Sequence, residues 1–146
     1  MPDANTATGP VRSYRDLRVW QQAMDLAEET YRATERFPEH ERYGLVTQIR
    51  RAAVSVASNI AEGNARSTGD YLRHLLVSSG SLTEMETQFM LSDRLGFIQH
   101  GQAESLLGTC DQVGHMLGGL RRTLRARRSR APSPEPRVPK QSLSSG

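Results

Sequence analysis

Cysteine is almost missing from this 146-residue chain: Cys110 stands alone. No internal disulfide can close, and its place among apolar residues at helical spacing suits a small core side chain. Aromatics make up 5% of the chain and hydrophobic residues 36%, which points to one helical domain built on small aliphatics. No stretch approaches the roughly 20 apolar residues of a membrane span, and the opening MPDANTATGPVRS has no apolar run. A cytoplasmic protein with no membrane partner is expected.

The motifs of known chemistries are missing as well. There is no Walker loop, zinc-type cysteine pair, nucleotide-binding glycine fingerprint or Ser-His-Asp ordering. His40, His74, His100 and His115 are scattered, without the Glu-x-x-His pair of di-iron bundles. Asp111 and His115 could share a helix face, but two ligands do not make a metal site. No metal, cofactor or small-molecule substrate is expected. Gly118 and Gly119 lie inside a helical pattern, where they suit close packing or a kink better than a phosphate cradle.

What is present is basic charge, placed unevenly. The chain carries a net +3, but residues 121–146 hold eight basic groups against one acid, a net of +7, which leaves −4 for residues 1–120. The high isoelectric point therefore belongs to one segment rather than to the globular body.

Apolar spacing of three and four recurs from Tyr14 onward, and nothing alternates with a period of two. The pattern predicts an all-α fold: an antiparallel up-down-up-down four-helix bundle over residues 14–128. A disordered N-terminal segment is expected at 1–13 and a disordered Pro/Ser-rich basic tail at 129–146. The first helix starts near Arg15 or Asp16 and buries Leu17, Trp20, Met24, Ala27 and Tyr31. Pro38 suits a first helical position, so the second begins around Glu39 and runs to Glu62, with Gly63 or Asn64 as a left-handed stop. Ser67 or Thr68 caps the third, which buries Tyr71, Leu75, Ser78, Leu82, Met85 and Phe89 and ends at Gly96. The fourth begins near His100 and buries Leu106, Cys110, Val113, Leu117, Leu120 and Leu124.

The stretch QIRRAAVSVASNIAEGNAR carries two arcs. Leu45, Ile49, Ala52, Ala53, Val56 and Ile60 form the apolar one. Gln48, Arg51, Ser55, Ser58, Asn59 and Glu62 form a polar one beside it. Small residues there let another backbone approach, and charged groups among them need partners once water is excluded. The arc is expected to be a helix or subunit contact.

The runs YRDLRVWQQAMDLAEETY, FPEHERYGLVTQIRRAAVSVASNIAEGNAR and SGSLTEMETQ resemble the bacterial four-helix-bundle proteins known as 23S rRNA intervening-sequence proteins, over Tyr14 to Ile98. Matching positions include Trp20, Pro38, Glu41, Gly44, Gln48, Arg51, Asn59, Glu62, Gly63, Arg66, Glu84 and Glu86. The resemblance implies an antiparallel bundle that assembles into a homopentameric barrel. It also implies a distant relation to the accessory variability proteins of diversity-generating retroelements, which bind nucleic acid and a reverse transcriptase. The family's founding genes lie within insertions of ribosomal RNA genes, which is a location and not a mechanism.

The resemblance does not cover the arginine-rich segment, whose role rests on its own charge. Arg121, Arg122, Arg125, Arg127, Arg128 and Arg130 can neutralise several phosphates and release counterions, with no aromatic neighbour to stack on bases. The expectation is a non-enzymatic homo-oligomer that associates with nucleic acid, RNA before DNA. The alternative is an oligomeric scaffold for a protein partner such as a reverse transcriptase. A remote third reading is a helical-bundle ribonuclease with His100 as general acid or base and Arg94 stabilising the phosphorane; it requires those two side chains to face each other.

Overall fold

The computed structural model describes residues 13–130. Four α-helices follow one another: α1 (Arg18–Thr34), α2 (Leu45–Asn64), α3 (Thr68–Arg94) and α4 (His100–Arg130). One-turn 3-10 helices stand at Tyr14–Asp16 and Glu39–Glu41. Each α-helix packs on the next and α1 also packs on α4, which closes an antiparallel up-down-up-down bundle. No described helix is long and apolar enough to cross a membrane.

Local chemistry sets where the helices start and stop. The Ser13 hydroxyl accepts from the Arg15 N–H at 3.1 Å, and the Asp16 carboxylate accepts from the Ser13 N–H at 3.2 Å. This reciprocal cap closes only a single turn. Leu17 is extended (φ −75°, ψ 125°), so α1 begins at Arg18 rather than at Arg15 or Asp16. The same break corrects the buried face of α1. Leu17 is buried outside the helix, so its register does not propagate; the helix buries Val19, Ala23, Leu26, Thr30, Ala33 and Thr34. Met24 and Tyr31, expected inside, are 45% and 41% exposed, and Trp20 is only partly buried. The two threonines enter the core because each donates its hydroxyl to the preceding turn, Thr30 to the Leu26 carbonyl at 2.7 Å and Thr34 to the Thr30 carbonyl at 2.8 Å.

Pro38 starts the short turn Glu39–Glu41, and α2 begins later than expected, at Leu45. The Glu41 carboxylate reaches forward to accept from the Leu45 N–H at 3.1 Å, satisfying one of the unpaired donors of the helix start. Gly44 makes room for it, since a Cβ there would sit 2.9 Å from the Glu41 carboxylate oxygen.

All six apolar residues expected on α2 are buried, as are the six named on α3 and the six on α4. The Ser67 hydroxyl caps α3 by accepting from the Asp70 N–H, and Gly96 closes it with φ 74°. Gly63 is a correction: it has no positive φ, and α2 ends at Ala65 in right-handed geometry. The boundaries at the two ends shift too. Ser13 is part of the cap on the first turn, and Ser129 and Arg130 continue α4. The remainder of the expected tails, residues 1–12 and 131–146, lies outside the described residues.

Candidate nucleic-acid interface

Two surfaces carry the polar residues singled out in the sequence. The first is the last two turns of α4. Leu124 is the final buried residue, and beyond it the helix leaves the core. Arg122, Arg125, Arg127, Arg128 and Arg130 are exposed, while Arg121 is partly covered and its Nε is buried without a hydrogen-bond partner. At 100° per residue these side chains point to most sides of the helix, giving a cationic rod rather than a one-faced strip. The helix C-terminus favours this placement, because its unpaired carbonyls attract positive charge.

The second surface is the polar arc of α2. The structure divides it. Ser55 and Asn59 turn toward α3: Ser81 Oγ donates to Ser55 Oγ at 2.8 Å, and Asn59 Nδ2 donates to the Ser55 carbonyl at 2.9 Å. His74 Nδ1 lies 3.0 Å from Asn59 Oδ1, which as an amide oxygen accepts its proton. Beside them, Ser78 Oγ donates to the Val56 carbonyl at 2.8 Å. Gln48, Arg51, Ser58 and Glu62 are exposed. Glu62 pairs with Arg66 at 3.2 Å, both about half exposed, and so makes no desolvated pair with Arg51 in the single chain. Between α2 and α3 an open groove of about 430 Å³ is lined by Gln48, Arg51, Ser55, Ser81, Glu84 and Gln88.

The α3 partners Ser81 and His74 do not stand out in the sequence, since an isolated serine or histidine on a helix predicts no contact. Exposed apolar residues on α3 also escape a one-face reading. Leu76, Val77, Met90 and Leu91, with Leu95 just past the helix end, are 45–53% exposed. The signal was present as large apolar residues on both faces of one helix.

Residues 15–119 match the family model described as 23S rRNA-intervening sequence protein. The chain belongs to that family. A solved structure of a protein of unknown function from the S23 ribosomal protein family of Bacteroides thetaiotaomicron is similar, with a TM-score of 0.64 at 22% identity. The match covers 70% of this chain and 96% of that one, and it shows the shared fold. No curated protein is significantly similar. The family match reaches into α4 beyond Ile98, so the intervening-sequence protein fold includes the fourth helix, while the six arginines of 121–130 lie past its end.

Two further groups in this intervening-sequence protein have marked chemistry. His100 Nδ1 lies 2.7 Å from Asp93 Oδ2 and its Nε2 lies 3.1 Å from Glu104 Oε1. Its ring is thus engaged by two carboxylates. The Asp93 hydrogen bond and charge, with Glu104 adding to them, hold the His100 pKa above its usual value. A raised folded-state value stabilises the fold fully below the unfolded histidine pKa, about 6.5, and that stability is lost as pH rises through the folded value. His100→Gln is therefore expected to flatten the pH dependence of the melting temperature as pH rises above about 6.5; a curve as steep as the parent's would assign it to other groups. Cys110, by contrast, is fully buried, and burial pushes its thiol up to about 12, so it behaves as a core residue rather than a nucleophile.

Proposed function

We propose that this intervening-sequence protein is a non-enzymatic, cytoplasmic homo-oligomer, a pentamer by family resemblance, that associates with RNA in preference to DNA through backbone electrostatics. The observation that carries the reading is the arginine-rich end of α4. The helix continues past its last core residue and holds five of its six arginines in water, where they can meet phosphates at little desolvation cost. Self-association is supported by the exposed Met90, Leu91 and Leu95 at the end of α3, which a second copy would cover beside the groove of Gln48, Arg51 and Glu84. Several arms on one assembly would act together on one nucleic acid through effective concentration.

A second reading is favoured by the same exposed apolar residues: an oligomeric scaffold that holds a protein partner such as a reverse transcriptase, with nucleic acid incidental. Fluorescence anisotropy of the intact protein with RNA separates the two. Between about 50 and 200 mM salt the affinity is expected to fall by roughly 10³-fold or more if six phosphates are contacted. Failure to bind near 0.15 M salt, or affinity indifferent to salt, would overturn the nucleic-acid reading in favour of the scaffold.

A further inference from the structure

The basic charge of the folded protein is not confined to α4. In the antiparallel bundle the start of α1, the α2–α3 turn, the start of α3 and the end of α4 share one end. Two contacts fix the register. Gln22 Nε2 donates to Gln112 Oε1 at 3.2 Å, which sets the second turn of α1 beside Gln112 and points the start of α1 along α4 toward Arg121. A Cβ on Gly69 would lie 3.7 Å from the Arg128 guanidinium, so the tip of α4 rests on the start of α3. Arg15, Arg18, Arg66 and Arg73 thereby join the six arginines of α4 at the same end.

That end holds ten arginines against Asp16, Glu62 and Asp70, a net of +7; the other described residues hold six arginines against eleven acids, a net of −5. The three acids of the basic end are themselves engaged. Asp16 caps Ser13, Glu62 pairs with Arg66 and Asp70 with Arg73. The folded body is thus a charge dipole whose positive pole comes from three separate stretches of chain.

We infer that this end is a composite site for the phosphate backbone of a double-stranded nucleic acid, with Arg15, Arg18, Arg66 and Arg73 extending the arm formed by α4. The inference rests on the nucleic-acid reading above and adds which residues take part and what form of ligand they fit. Two features favour a duplex. The arginines stand on α1, on the α2–α3 turn, on α3 and on α4, so their charge is spread over several helices and can meet phosphates on both sides of a duplex groove, about 6–12 Å wide. A single strand presents one row of phosphates, which α4 alone can follow. Stacking platforms, which favour single strands, are also lacking there. Tyr14 and Trp20 pack edge-to-face on each other at 5.3 Å, and Tyr71 is buried.

The test uses the full chain with Arg15, Arg18, Arg66 and Arg73 all changed to glutamine, beside a control with Arg32→Gln, Arg36→Gln and Arg42→Gln at the opposite end. The probes are an RNA duplex, a DNA duplex and a single-stranded RNA, each spanning about 16 base pairs or nucleotides. Arg66 and Arg73 lose only exposed ion pairs, so the variant is expected to keep the parent's circular dichroism. The salt slope for duplex binding should fall by about 0.9 per lost phosphate contact, and the duplex affinity near 0.15 M salt by at least about tenfold. Single-strand binding and the control should be nearly unchanged, and the RNA and DNA arms show which duplex is held. Duplex binding that persists undiminished in the variant, or an intact protein that prefers the single strand, overturns the composite site and leaves the α4 arm standing. No binding of any probe by the intact protein overturns both.

Discussion

With the six arginines of residues 121–130 changed to glutamine, the affinity of this protein for RNA near 0.15 M salt is expected to drop by roughly 10²–10⁴-fold, and the log–log salt slope to fall by up to about 5. The size follows from counterion release. Each phosphate neutralised contributes about 0.9 to the slope on a duplex, so six contacts dominate binding that has no base-specific component. Glutamine keeps a comparable helix propensity, so the helix itself should persist and circular dichroism should match the parent. Losing cations at a helix C-terminus costs about 0.3–1 kcal/mol at most for each group near the last turn, too little to unfold a bundle whose core ends at Leu124. Weaker residual binding is expected from the arginines at the starts of α1 and α3. A variant with the parent's affinity and slope would show that the arm is only a solvated helix end.

Gly63→Ala is expected to destabilise the bundle, whereas Gly108→Ala should stabilise it. Both residues lie inside helices, where replacing glycine with alanine gains about 1 kcal/mol from helix propensity. At Gly108 nothing lies within 4 Å of the added methyl, so that gain is realised. At Gly63 the methyl would sit 2.6 Å from Tyr71 Cδ2 and 2.8 Å from His74 Cβ. Neither atom ends a flexible chain, so α2 and α3 must separate. Overpacking of this kind costs about 1–3 kcal/mol, and separation also stretches the 2.8 Å bonds from Ser78 to the Val56 carbonyl and from Ser81 to Ser55. Urea midpoints displaced in opposite directions support this account. Equal stabilisation by both substitutions would show that close approach is not why glycine stands at 63.

The two glycines also mark where the sequence was readable. In α2, α3 and α4 every residue expected from spacing is buried, because a long uninterrupted helix carries its phase from one turn to the next, although Val46, Ala57, Leu72, Ser81, Ser92 and Ala103 join them. In α1 the phase was misread, because Leu17 is apolar and buried yet belongs to an extended residue before the helix, while Thr30 and Thr34 look polar yet satisfy their hydroxyls within the helix. Gly63 or Asn64 as a left-handed stop fails for another reason: position near a helix end is visible in a sequence, but the ring of Tyr71 lying against Gly63 is not.

For the candidate site, the six arginines of α4 were legible as a dense run, and their charge needed no structure to be counted. That Arg15, Arg18, Arg66 and Arg73 share their end of the bundle was not, since these residues stand more than forty positions from the run and only the antiparallel packing brings them level. The polar arc of α2 was likewise visible as an arc, but its division between Ser55 and Asn59, bonded to α3, and Gln48, Arg51, Ser58 and Glu62, facing water, came from the neighbouring helix. Composition and periodicity determined an all-α four-helix bundle with one basic segment, because those properties are local to each helix. Which faces meet, which glycine must stay small and where the positive charge gathers were decided by tertiary packing, because each depends on residues that are distant in the chain and adjacent only in the fold.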